Sequence, residues 1–328
     1  MPEIKSVLCT AYISEESKEK LRQALAPAKV EFYLFIEKDK IAAASEYVDV
    51  AIFNGDLDPC ILKGKNIKWI HCCRAGIEKS ASPEIFARDI VLTCSVGKAA
   101  PALAEHALTF MMALTYDLPM LQRAKDQHIW AVSREYAMKT GLHRKTVGII
   151  GTGNTGTELA KLCKAFDMNV LGYRRTNVCP PNIDRIYSAE NGDTIRPILE
   201  QSDYVVLCME LNDDTWHMIG RGELAAMKPG AYFVNMGRGG LVDEAELIAA
   251  LQSGHLGGAG LDTFEVEPLP KDSPLWDLPN VIISPHITPQ AWNQEERMLD
   301  PVFKNIEAYR WGGEFVNRVT ERNLLTKK

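Results

Sequence analysis

Several absences narrow this chain before any motif is read. Lysine and arginine number 37 and are scattered, with no basic run that could neutralise a phosphate backbone, and 43 aspartates and glutamates outweigh them to a formal net charge of −6. Nucleic acid is therefore not an expected partner. No uncharged apolar run approaches the roughly 20 residues of a membrane-spanning helix. The opening MPEIKSVLCTAYISEESKEK turns acidic and polar where a secretory leader is apolar. Internal repeats and low-complexity stretches are missing. The eight cysteines (Cys9, Cys60, Cys72, Cys73, Cys94, Cys163, Cys179 and Cys208) include no CxxC pair, and the adjacent Cys72 and Cys73 point to opposite faces of a strand, a poor arrangement for sharing a metal. The expectation is a soluble, untargeted cytoplasmic chain with reduced thiols, no metal and no membrane partner.

What is present is a core-forming α/β pattern. With 328 residues, 46% of them hydrophobic, the chain is long enough for two domains. The β-branched and aromatic runs SVLCTAY, VEFYLF, YVDVAIF, IKWIHC and IVLTC alternate with helical or loop segments over the first ninety-odd residues, which predicts a parallel sheet. A helix-like segment over 101–124 follows, starting at Pro101 and carrying more apolar residues than one buried stripe needs; it reads as a buried interdomain or subunit-contact helix. A second series then runs through TVGII, MNVLGY, DYVVLCM, AYFVN, AGLD and NVIIS. The terminal AWNQEERMLDPVFKNIEAYRWGG predicts a helix interrupted only at Pro301.

Between the first strand of the second series and its helix lies GTGNTG, with glycines at 151, 153 and 156. Each glycine has a physical reason in a dinucleotide-binding turn: a tight bend at Gly151, close backbone approach to a pyrophosphate at Gly153, and helix–strand packing at Gly156. The helix N-terminus offers its N–H groups to the anion. The bland alternative is a glycine-rich turn without a ligand. Where the next strand ends, 18 residues beyond Gly156, an NAD-binding domain presents an acidic residue to the ribose hydroxyls, but this chain has Arg174 and Arg175. Guanidinium groups there favour a 2′-phosphate, hence NADP(H) over NAD(H), unless the two arginines merely solvate a strand end.

Three later stretches follow strand ends: VNMGRGGLVDEAEL with Arg238, GLDTFEVEPLP with Asp262 and Glu267, and VIISPHITPQ with His286. Ligands of doubly wound sheets meet the carboxyl ends of strands. Reduction of a 2-oxo acid needs a cation for the carboxylate and the polarised ketone, a proton donor, and a carboxylate to orient that donor. Arg238, His286 and Glu267 supply these three types. Singly, each has an ordinary reading as a loop charge, a turn cap or a satisfied strand-end histidine.

Through KTVGIIGTGNTG, MKPGAYFVNMGRGGLVDEAEL, GAGLDTFEVEPLP and SPHIT, the sequence resembles the D-isomer-specific 2-hydroxyacid dehydrogenases over most of residues 67–290. The resemblance implies two doubly wound parallel-sheet domains: a flavodoxin-like substrate domain from 1–100 and 290–328, and an inserted Rossmann NAD(P)-binding domain over 101–289, with a cleft that closes on its ligands. It also implies roles. Arg238 becomes the substrate-binding arginine, His286 the general acid, Glu267 its carboxylate partner, and Asp262 an acceptor for the nicotinamide carboxamide. Asn154, Thr155, Cys208 and Met236 join the cofactor-contacting residues, and CRAGIEK places Ala75, Gly76 and Ile77 in a loop whose backbone binds the substrate carboxylate. A homodimer is implied as well.

Departures from the family pattern lie at Met236 and Gly237, at Arg74, which reads as a second substrate cation or, having no visible partner, a solvated loop residue, and at Trp292, which reads as a pocket wall or as core. The reading is a 2-oxo acid reductase, reversible as a D-2-hydroxyacid dehydrogenase, that resembles the glyoxylate and hydroxypyruvate reductases. The competing reading is a non-catalytic NAD(P)-sensing protein of the corepressor-like type.

Overall fold

The structure, a computed structural model, describes residues 3–130 and 134–327. Residues 131–133, inside the stretch read above as the dinucleotide domain, lie outside the described residues. The chain divides into two compact units, Met1–Ala99 with Ala291–Lys328, and Ala100–Gln290.

In the first unit, β1 (Ser6–Cys9), β2 (Lys29–Phe32), β3 (Val50–Phe53), β4 (Trp69–Cys72) and β5 (Val91–Cys94) form a parallel sheet in the order β5-β4-β3-β1-β2, the flavodoxin-like order. Alternate side chains enter two cores because successive residues of a strand face opposite ways. Val7, Val50, Ile52 and Trp69 pack with Leu21, Leu25, Val302 and Tyr309 on one face. Leu8, Ala51, Phe53 and Ile70 pack with Ile41, Ile61 and Ile85 on the other. A sheet buried on both faces explains why these strands read as nearly unbroken apolar runs. The helix Glu15–Leu25 starts where the Ser14 side chain accepts the N–H of Ser17, and Glu15 and Glu16 favour its positive end.

The second unit carries β6 (Thr146–Ile150), β7 (Asn169–Arg174), β8 (Arg185–Ser188), β9 (Tyr204–Leu207), β10 (Tyr232–Asn235), β11 (Gly258–Leu261) and β12 (Val281–Ile283). They form a parallel sheet in the order β12-β11-β10-β9-β6-β7-β8. Counted within the unit, this is the Rossmann order extended by one strand, and the order reverses between β6 and β9. The helices Ala100–Thr115 and Asn154–Ala165 bury Ala104, Phe110, Met111, Leu159 and Cys163 against Val147, Ile149, Val206 and Val234.

Three elements differ from the sequence reading. The helix expected over 101–124 is two, Ala100–Thr115 and Leu118–Asp126. Pro119 has no N–H to give Thr115, and Asp117, left-handed at φ 49°, caps the second helix by accepting from Met120. β8 is added to the six expected strands of the second series. After the helix Gln294–Trp311, which contains Pro301 and stops at the left-handed Gly312, a two-residue strand β13 (Arg318–Val319) pairs antiparallel with β5 at the edge of the first sheet.

Candidate active site

The parallel neighbours β10, β11 and β12 end side by side, so the turns after them bring Arg238, Asp262, Glu267 and His286 to one edge of the second unit. Asn235, the last residue of β10, shapes the first turn. Its Oδ1 accepts the N–H of Gly237 at 3.0 Å and its Nδ2 donates to the carbonyl of Arg238 at 2.9 Å. The Arg238 Nη1 donates to the carbonyl of Gly237 at 2.7 Å, which folds the guanidinium along its own turn.

Gly239 joins this turn to the next. A Cβ there would lie 1.8 Å from the carbonyl carbon of Phe264 and 2.3 Å from the nitrogen of Glu265, so any side chain would drive the two backbones apart. The second turn folds back on itself: the N–H of Phe264 donates to Glu267 Oε1 at 3.1 Å. That bond fixes the carboxylate and leaves Oε2 for His286 Nδ1, 2.8 Å away. With Nδ1 engaged, His286 Nε2, which has no partner among the described residues, is the atom able to deliver or accept a proton. The side chains of His286 and Glu267 are 40% and 36% exposed, wet enough to exchange protons yet held in one geometry.

His286 sits at φ 52°, in the left-handed region. Asp262, 2% exposed, organises the segment around it. Its Oδ1 accepts from the Ser284 hydroxyl and from the N–H of Ile287 at 3.1 Å, and its Oδ2 from the Thr288 hydroxyl at 3.2 Å. A carboxylate has about four lone-pair sites, so an amide donor can still be accepted there.

A second histidine–carboxylate pair braces the same turns. His217 donates its N–H to the carbonyl of Gly240 at 2.8 Å, and its Nε2 contacts Glu265 Oε1. The Glu265 N–H donates to Glu244 Oε2 at 3.2 Å. Burial, and then the Glu265 charge, hold the Glu244 carboxyl above the usual carboxylate range, opposed by that backbone bond. His217 and Glu265 were not singled out from the sequence. The two acids of the FEVEP run were the visible signal, but the partner of Glu265 lies 48 residues away.

The glycine turn follows β6. Gly151, at φ 101°, leaves no room for a side chain: a Cβ would lie 2.8 Å from Cys208 and Met209 atoms. At Gly156 a Cβ would sit 2.2 Å from the carbonyl oxygen of Gly151, whereas Gly153 faces open space. Gly153 caps the helix Asn154–Ala165, whose leading N–H groups at Asn154, Thr155 and Gly156 have no carbonyl of a preceding turn to meet. A pyrophosphate suits this open, N–H-lined turn. At the end of β7, Arg174 Nη1 donates to the Val178 carbonyl at 3.2 Å, and neither Arg174 nor Arg175 is paired with a carboxylate among the described residues. Cys208 is half-buried and Met236 is 5% exposed, so Met236 lies beneath the surface of the strand ends.

In the first unit, Ala75, Gly76 and Ile77 follow β4. The Ile77 side chain belongs to the core, while the three consecutive N–H groups have no hydrogen-bond partner among the described residues, an arrangement suited to an anion. Two sequence readings are corrected here. Arg74 has a partner: its Nη1 lies 2.6 Å from Asp56 Oδ2, and Asp56 Oδ1 accepts from the Ser80 hydroxyl at 3.0 Å. Trp292 is 96% exposed and is not core.

Known proteins resemble this chain in sequence and in fold. A family model described as D-isomer specific 2-hydroxyacid dehydrogenase, NAD binding domain, matches residues 108–288. The chain is 34% identical over 227 residues to a glyoxylate reductase of Korarchaeum cryptofilum, covering 69% of this chain and 68% of that one. It is 35% identical over 234 residues to a D-3-phosphoglycerate dehydrogenase of Archaeoglobus fulgidus, covering 69% of this chain but only 42% of the relative. Among solved structures, a D-isomer specific 2-hydroxyacid dehydrogenase from Xanthobacter autotrophicus Py2, in complex with NADPH and MES, superposes with a TM-score of 0.78 at 27% identity, over 97% of this chain and 98% of that one.

Proposed function

We propose, from the premise that this chain belongs to the D-isomer specific 2-hydroxyacid dehydrogenase family, that it reduces a small 2-oxo acid to the D-2-hydroxy acid and runs the reverse reaction as a dehydrogenase, with NADP(H) preferred and NAD(H) second. A bound nicotinamide supplies the hydride to C2. The protein supplies the rest. Arg238 draws in the carboxylate and polarises the ketone, its charge opposing the negative charge gathering on the oxygen. His286 donates its Nε2 proton to that oxygen, and Glu267, fixed by the Phe264 N–H, keeps the imidazole aimed. The Ala75, Gly76 and Ile77 N–H groups are assigned to the substrate carboxylate, and Asp262 to the nicotinamide amide. Gly151, Gly153, Asn154, Thr155 and Gly156 are assigned to the pyrophosphate, and Cys208 and Met236 to cofactor contacts.

The observation that carries this reading is the 2.8 Å contact of His286 Nδ1 with Glu267, with Nε2 unengaged. The cofactor preference is supported by Arg174 and Arg175, the substrate class by the glyoxylate reductase of Korarchaeum cryptofilum to which the chain is similar. The test is the fall in absorbance at 340 nm when NADPH or NADH is mixed with glyoxylate, hydroxypyruvate and larger 2-oxo acids. Consumption is expected with at least one acid, faster with NADPH. Tight NADPH binding without consumption of any would make the protein a nucleotide sensor and overturn the reading.

The reading includes a homodimer in the cytoplasm. Tyr116, Leu118, Ile129 and Trp130 are exposed within one short stretch, an apolar concentration that suits a subunit contact. Light scattering behind a sizing column reports the mass directly. Among the described residues no helix is long and apolar enough to cross a membrane.

A further inference from the structure

We propose that His106, on the helix Ala100–Thr115, is a positioning residue for the reaction: it holds Thr288, two residues beyond His286, and thereby sets the direction of the His286 ring. The proposal rests on the reading of His286 as the proton donor.

The contacts are specific. His106 Nδ1 lies 2.9 Å from the Thr288 hydroxyl oxygen, and the ring's other nitrogen only approaches Ser284, at 3.4 Å. The donor count orders these bonds. Each hydroxyl has a single proton, and both are directed at Asp262, from Thr288 to Oδ2 and from Ser284 to Oδ1. Thr288 therefore accepts, and the 2.9 Å contact is an N–H of His106 donating from Nδ1. His106, Thr288 and Asp262 form one chain of hydrogen bonds, which the Ser284 hydroxyl and the Ile287 N–H join at Asp262.

The helix cannot slide to release it. The Phe110 ring packs one turn along, its centroid 4.5 Å from that of His106 and its plane tilted by 30°. Phe110 is seated on Gly260 of β11, where a Cβ would come within 2.6 Å of it. The segment needs such a clamp because His286 holds a left-handed backbone, which is strained for a non-glycine residue. Holding Thr288 keeps that conformation, and with it the aim of Nε2. His106 touches neither the reacting atoms nor His286 itself; it acts through Thr288.

The experiment compares His106→Leu, which fills the space without a donor, with His106→Asn, whose amide puts an N–H near the position of Nδ1. With glyoxylate and NADPH, kcat of the Leu variant is expected to fall about tenfold, since small misplacements of a reacting group are expensive, with KM for glyoxylate changed less than threefold; Asn returns kcat to within threefold of the parent. Thr288→Val should cost as much as His106→Leu, and the double variant no more than either. A Leu variant within twofold of the parent overturns the proposal. So does an Asn variant no better than Leu, or losses that multiply in the double variant. Should the parent turn over no 2-oxo acid, the functional reading fails, and the positioning claim is judged by the His286 ring signal in 15N-histidine-labelled protein, assigned by its loss in His286→Ala. That signal should shift in the Leu variant and return in Asn; an unmoved signal overturns the claim.

Discussion

The interior of the first sheet and the carboxyl edge of the second each hold a histidine, and the two stand in opposite surroundings. His71 lies in the middle of β4, wholly buried. Its Nδ1 meets the Thr93 hydroxyl at 2.8 Å and its Nε2 the Ser95 hydroxyl at 2.9 Å. Ser95 donates to the Met298 carbonyl, so His71 must donate from Nε2; Thr93 accepts from Trp69 Nε1 and donates to Nδ1. Every polar atom is satisfied by the neutral ring. Burial, and then the nearby Lys98 charge, lower its pKa from 6.5 to about 3. His286 instead leaves the sheet at a strand end, half exposed, with a carboxylate on Nδ1. Partner charge and position along the strand, not residue type, separate a structural histidine from a chemical one.

That contrast can be broken at several points. The largest expected effect is on His286: its replacement by Ala should lower turnover by about a hundredfold or more with NADPH still bound, whereas His71→Leu should leave turnover per folded molecule within threefold. Equal losses in the two variants would erase the distinction. Next is acid stability. Because the folded pKa of His71 lies below the unfolded value, its contribution is present above pH ~6.5 and is lost as pH falls toward 3. Unfolding by urea, followed at Trp69, should show the first unit about 2 kcal/mol less stable at pH 5 than at pH 7 from this group, and His71→Leu should flatten that slope.

Smaller effects sharpen the picture. Glu267→Gln keeps an acceptor for His286 but removes the charge; kcat should fall about tenfold, the difference between a charged and a neutral hydrogen bond, and a parent-like kcat would show that the charge is unused. At another strand end of the second sheet, Arg174→Asp should shift the ratio of kcat/KM for NADPH over NADH about fivefold toward NADH, as for an exposed ion pair of about 1 kcal/mol. An unchanged ratio removes Arg174 from cofactor selection.

Much of this was legible in the sequence because burial on both faces of a parallel sheet writes itself as apolar runs. β1, β3, β4 and β5 fall within the apolar runs of the first series, as do β6, β9, β10 and β12 within those of the second, while β2, β7 and β11 each overrun theirs by one residue. β8 was missed because RIYS is a short edge strand led by an arginine, and β13 because two residues carry no period. The split at Asp117 did have a signal, an Asp two residues ahead of Pro119, which a long apolar stretch obscured. At the site, residue types and spacing named Arg238, Glu267 and His286, but the forces that place them are non-local. The fit of Gly239 against Phe264, the His217–Glu265 pair and the bridge from His106 to Thr288 join residues 25, 48 and 182 positions apart, and no local pattern encodes them. Arg74 looked unpartnered for the same reason: Asp56 is 18 residues away on another loop.

The abutting backbones at Gly239 and Phe264 tie the arginine-bearing and glutamate-bearing turns into one mechanical body. Neither can swing out while the other stays, so amide exchange at Arg238 and at Phe264 should proceed as a single opening. Anything that loosens one turn, even a methyl group at Gly239, dismantles cation and carboxylate together.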